Sequence, residues 1–115
     1  MRFEFVVRSG KEVGRTVAVN SGQTISLGRL KGCDVVVDDE AASRRHCTIT
    51  AREDVCVASD LQSANGTFVG AAGAPLPTDP IAPGSRRELG DGDRVYVGAW
   101  TRIVVRDATA EEQSL

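Results

Sequence analysis

Three short runs of this sequence carry polar residues of the kind that grip an anion. Gly28-Arg29 is the first, Ser43-Arg44-Arg45-His46 the second, and Asp60-Leu61-Gln62-Ser63-Ala64-Asn65-Gly66-Thr67 the third. An arginine guanidinium is a planar fork of donors that matches the oxygens of a phosphate. A serine hydroxyl and successive backbone N–H groups add donors from one concave turn. Charge-assisted hydrogen bonds contribute about 1.5–3 kcal/mol each, so two or three could hold a small anionic group. Spacing alone does not bring the three runs together. Taken singly, Arg29, Arg44 and Arg45 also read as solvated charges, with Asp38-Asp39-Glu40 close by as ion-pair partners.

The elements that must position these runs are strands. Phe3, Phe5 and Val7 alternate with charged neighbours, a period of two that puts one face in a core and the other in water. Similar runs cover 15–20, 23–27, 35–37, 46–52, 55–59, 67–69, 94–97 and 102–106. Turn chemistry separates them: Ser9-Gly10, Ser21-Gly22, Lys31-Gly32, Asn65-Gly66 and Gly90-Asp91-Gly92-Asp93. No dozen residues show a helical period. Many short strands with close turns predict an all-β fold of two packed sheets. Each polar run then falls on a loop between strands. Residues 70–85 hold all four prolines, which cannot donate to a central ladder, so this stretch reads as a long surface loop or edge excursion.

Bulk properties narrow the function. A chain of 115 residues suits one domain. The net charge of −2 and five aromatic residues argue against a nucleic-acid partner. The three cysteines, Cys33, Cys47 and Cys56, form no C-x-x-C pair, and His46 is the sole histidine, so neither a metal site nor any other cofactor is expected. No stretch has the roughly 18 apolar residues of a membrane span, and the opening Met1-Arg2-Phe3-Glu4-Phe5 does not begin like a secretory signal. A cytoplasmic protein with reduced thiols and no membrane partner is the expectation.

The three runs, in this order and between these strands, resemble the forkhead-associated (FHA) domain family. The likeness extends to Asn65-Gly66-Thr67-Phe68-Val69-Gly70 and to Asp91-Gly92-Asp93 followed by Val95-Tyr96-Val97-Gly98. It implies a β-sandwich of two antiparallel sheets, about 11 strands, with binding loops at one end, over residues 1–106. Residues 107–115 would be an acidic tail or linker stub.

The resemblance also implies a function: binding phosphothreonine peptides in Ser/Thr kinase signalling, with a kinase or its substrate as the protein partner. By that similarity Arg29, Ser43 and Arg44 contact the phosphate and Asn65 contacts the peptide main chain. Gly28, His46 and Gly66 shape the loops. Alternation along the chain would aim Arg45 away from Arg44. The residue before the asparagine is usually Ser or Thr in phosphate-binding members, and here it is Ala64, so one donor is missing.

Three rival readings stand beside this one. The first is a phosphate-independent interaction or scaffold domain that keeps the fold, for which Ala64 and the proline-rich loop speak. The second is an enzyme, which would need Ser43, His46 and Asp60 to act together, without a nucleophile elbow, metal cluster or nucleotide loop. The third is a switch in which Thr109, once phosphorylated in its acidic flank, occupies the site. The wealth of Ala, Gly and Arg suggests a GC-rich, bacterial source.

Overall fold

A computed structural model describes residues 2–7, 14–52, 55–99 and 101–108, the side chain of Arg2 excepted. Among these the chain forms ten strands and no helix: β1 (Arg2–Val7), β2 (Thr16–Asn20), β3 (Thr24–Gly28), β4 (Val35–Val36), β5 (Cys47–Ala51), β6 (Cys56–Asp60), β7 (Thr67–Gly70), β8 (Arg86–Leu89), β9 (Arg94–Val97) and β10 (Thr101–Asp107). They build two five-stranded sheets, one in the order β2-β1-β10-β9-β7, the other β4-β3-β5-β6-β8.

Alternation decides which side chains meet between the sheets. Phe3, Phe5 and Val7 of β1 share one buried face with Ile103 and Val105 of β10 and Val95 and Val97 of β9. The opposite sheet contributes Leu27, Cys47, Ile49, Ala51, Cys56 and Ala58. Burying a side chain of this size contributes about 1.5–3 kcal/mol, which is why the register is strongly specified. A slip of one residue would turn each of these faces to water. Pairing of β1 with β10 joins the two ends of the described chain, Phe3 opposite Asp107.

The sandwich of two mostly antiparallel sheets matches the sequence expectation. Ten strands are present among the described residues rather than about 11, and the two-residue pair β3–β4 runs parallel. Strand β8 was not foreseen from the sequence. Its segment Arg-Arg-Glu-Leu exposes three side chains and buries only Leu89. It lies at the edge of its sheet, paired with β6 alone, so no alternation is demanded of it.

The proline-rich stretch is irregular and mostly exposed, but Ile81 plugs the core and its N–H donates to the Thr67 carbonyl at 2.8 Å. The expected boundary between residues 106 and 107 falls inside β10, and Ala108 is buried. The Ser9-Gly10 turn, Thr109 and the rest of the tail lie outside the described residues.

Candidate functional site

At one end of the sandwich the first two polar runs are laced together by main chain. The Arg29 N–H donates to the Ser43 carbonyl at 3.1 Å and the Leu30 N–H to the Arg44 carbonyl at 3.2 Å. The Cys33 thiol donates to that same Arg44 oxygen at 3.5 Å. Gly28 makes this approach possible, because a Cβ there would overlap the Arg44 carbonyl. Its role is room for a neighbouring backbone, not an unusual φ.

His46 ties the second run to the third. It is fully buried, at 0% exposure. Its Nδ1 accepts the Ser43 N–H at 3.0 Å. Its Nε2 lies 2.8 Å from the Gly66 carbonyl, which can only accept, so the ring is neutral with its proton on Nε2. The His46 carbonyl takes the Leu61 N–H at 3.0 Å. One imidazole therefore sets the spacing between Ser43 and the loop carrying Asn65.

Inside the third run, Asp60 is the organiser. Only 3% exposed, its carboxylate accepts the Ser63 N–H at 3.1 Å, the Ser63 hydroxyl at 2.6 Å and the Thr67 hydroxyl at 2.7 Å. Ser63 Oγ in turn accepts the Gly66 N–H at 3.0 Å. Gln62 adopts a left-handed φ of 58° and Gly66 one of 87°, which folds the loop back on itself. A Cβ on Gly66 would also press on Pro80 at 2.9 Å, so the proline-rich stretch buttresses this loop.

A second carboxylate, Asp39, orders the segment before Ser43. It is 1% exposed and accepts the Ala41 N–H at 3.0 Å, the Ala99 N–H at 2.9 Å and the Thr101 hydroxyl at 3.1 Å. The turn so formed presents two carbonyls. Ala41 accepts Asn65 Nδ2 at 2.8 Å, and Ala42 accepts Arg29 Nε. Sequence reasoning missed both acids as supports: Asp39 was one of three adjacent acidic residues read as ion-pair partners of the arginines, and Asp60 was read only within the third run and as the acid of an enzyme alternative. The missing signal is depth, which no spacing in the sequence reveals. Gly98, at φ 71°, is the one faint trace, since a Cβ there would run into the Asp39 carboxylate.

The result is a set of polar groups held from behind with their outer faces unspent. Arg29 is exposed, and beyond its Nε contact with Ala42 the terminal nitrogens of the fork make no hydrogen bond among the described residues. Ser43 Oγ accepts the Ala64 N–H at 2.9 Å, which leaves its own proton to donate. Asn65 keeps Oδ1 and one N–H for a ligand. Arg44 and Arg45 are exposed, and their side chains make no hydrogen bond or ion pair among the described residues. Arg29, Ser43, Arg44, Asn65, Gly28, His46 and Gly66 thus come together around one set of loops.

A nucleophile relay is not assembled from the same residues. His46 meets Ser43 through the backbone N–H rather than the hydroxyl, and Asp60 is engaged by Ser63 and Thr67. The Cys47 and Cys56 thiols are pushed up to about 12, chiefly by burial, so both stay protonated near neutral pH.

The family profile for the FHA domain matches residues 25–98, which takes in all three polar runs and the strands that hold them. The chain belongs to the FHA domain family. An FHA domain-containing protein of Arabidopsis thaliana is 31% identical over 106 residues, covering 91% of this chain and 25% of its own length. The chain therefore spans a quarter of that relative.

Among solved structures, the FHA domain of the CT664 protein from Chlamydia trachomatis superposes with a TM-score of 0.78 at 26% identity, covering 93% of this chain and 98% of its own. Another FHA domain, solved in a study of phosphothreonine-dependent FHA domain interactions, gives a TM-score of 0.71 at 29% identity, covering 93% of this chain and 97% of its own. In this FHA domain the loop end is where the unspent donors gather.

Proposed function

We propose that this FHA domain binds phosphothreonine peptides and so mediates phosphorylation-dependent protein–protein interaction in Ser/Thr kinase signalling, without catalysis. The observation that carries the reading is the cluster of outward donors on Arg29, Ser43 and Arg44, held from behind by buried His46, Asp39 and Asp60. A phosphate dianion placed between them would accept from the Arg29 fork, the Ser43 hydroxyl and the Arg44 side chain or N–H. Asn65, anchored by Nδ2 on Ala41, offers Oδ1 to a peptide N–H beside the phosphothreonine. The hydrogen bonds that hold Ser43 and Asn65 from behind reduce the ordering cost of binding.

The partner in this reading is a cytoplasmic Ser/Thr kinase or one of its substrates, with neither nucleic acid nor membrane involved. The FHA domain solved for phosphothreonine-dependent interactions supports the choice of ligand. A phosphothreonine peptide library, measured against the same peptides unphosphorylated, is the direct test. Selective capture of phosphorylated members is the expected result. Equal binding of both sets would favour the phosphate-independent scaffold, for which exposed Leu76, at 74%, in the proline-rich stretch is the obvious contact.

Ala64 refines the strength of binding. Its N–H already serves Ser43, and its exposed side chain offers no donor. Ala64→Ser adds a hydroxyl beside the phosphate, and titration with one phosphopeptide should show affinity rising by about threefold to tenfold.

A further inference from the structure

Next to the phosphate-facing loop lies a second depression, of about 360 Å³, lined by Ser26, Leu30, Lys31, Gly32, Cys33 and Arg45. It shares a wall with the proposed site. The Arg44 carbonyl that caps the 30–33 turn belongs to the peptide unit joining Arg44, on the phosphate side, to Arg45, on the depression side. Arg45 lines the depression and Arg44 does not.

Lys31 and Arg45 are both exposed, and neither side chain has a hydrogen bond or ion pair among the described residues. Leu30, 40% exposed, provides an apolar flank between them and the loop. The Asp34 carboxylate is engaged by Ser26: its Oδ2 accepts the Ser26 N–H at 2.8 Å and the Ser26 hydroxyl at 3.2 Å. Arg15 reaches the same edge, donating from Nη2 to the Asp34 carbonyl at 2.8 Å. The lining itself holds two cations, Lys31 and Arg45, and no carboxylate among the described residues, so the depression is positive.

We infer that this depression is a second anion subsite, in which Lys31 and Arg45 select phosphothreonine peptides bearing an acidic or phosphorylated side chain beside the phosphothreonine. The inference rests on the phosphopeptide reading above. An extended peptide advances roughly 7 Å over two residues, enough to carry a neighbouring side chain from the shared wall into the depression. Leu30 would cover the methylenes of a glutamate while the two cations take its carboxylate. Arg45 is then a specificity residue rather than part of the phosphate clamp.

The test uses phosphothreonine peptides in which each flanking position is in turn Glu, phosphoserine, Ala or Lys, titrated against the wild-type chain and against Lys31→Glu/Arg45→Glu. At a position on one side of the phosphothreonine, Glu or phosphoserine should bind about tenfold tighter than Lys, with the difference shrinking at high salt. The double variant should invert that order while an Ala-flanked phosphothreonine peptide still binds it. A gain with Glu identifies a carboxylate as the occupant, and a gain with phosphoserine alone a second phosphate. Phosphate-dependent binding with the same Glu-to-Lys ratio in wild type and variant overturns the subsite. If no phosphothreonine peptide binds the wild-type chain at all, the proposed function fails, and the subsite falls with it.

Discussion

Arg29→Ala should lower affinity for a phosphothreonine peptide by about 100-fold or more and leave the melting temperature close to that of the parent chain. Two charge-assisted bonds from the guanidinium fork, at about 1.5–3 kcal/mol each, account for a loss of that size. The fold survives because the side chain is exposed and its one structural contact is the Nε bond to the Ala42 carbonyl. That contact also fixes the outcome for Arg29→Lys. An ammonium cannot bond Ala42 and present a planar fork at once, so lysine should recover little of the loss. Isothermal titration with one tight peptide measures both variants, and thermal denaturation monitored by circular dichroism controls for folding. Binding by Arg29→Ala within a factor of a few of the parent would remove Arg29 from the site.

The second large effect is on stability. Asp60→Ala should cost about 3 kcal/mol, a fall in Tm of roughly 10 °C or more in a domain of this size. The carboxylate accepts three hydrogen bonds at 3% exposure, and alanine leaves the Ser63 N–H and the Thr67 hydroxyl without that acceptor. Binding falls as well, since the loop that Asp60 holds is the one that delivers Asn65 and the Ala64 N–H to the site. The two variants should therefore separate cleanly. Arg29→Ala loses affinity at full stability, whereas Asp60→Ala loses both, and a ligand-saturated sample regains part of its Tm by mass action. A Tm for Asp60→Ala within about 2 °C of the parent would show that the network contributes little.

The contrast between these residues explains what could be read before any coordinates. Arg29, Ser43, Arg44 and Asn65 lay in polar runs on loops between alternating strands, and the family resemblance picked them out from their neighbours there. Gly28, His46 and Gly66 were attached to loop shaping through family resemblance, but the manner was hidden. Gly28 leaves space for a carbonyl from 16 positions further along, and His46 spans from Ser43 to Gly66. Asp39 looked like an ion-pair partner for nearby arginines, and Asp60 like one more polar residue of the third run. Their importance comes from being buried among donors contributed by distant segments, Ala99 and Thr101 in one case and Thr67 in the other.

Strand β8 shows the same limit in the fold itself. Alternation betrays a strand only where one face must be dry, and Arg86, Arg87 and Glu88 are all exposed on an edge. Inner strands such as β5, with its strict in-and-out burial, were legible for the opposite reason.

By itself, then, the sequence determined the all-β architecture, the loops that could carry an anion site and the residue types that would serve it. Local physics suffices there, because period-two burial and turn chemistry act over a few residues. Only the tertiary structure decided that three loops converge, that two buried carboxylates and one neutral imidazole hold them, and that Arg45 lines a depression with Leu30 and Lys31. Those are consequences of packing between segments tens of residues apart, where burial rather than residue type sets what a side chain does.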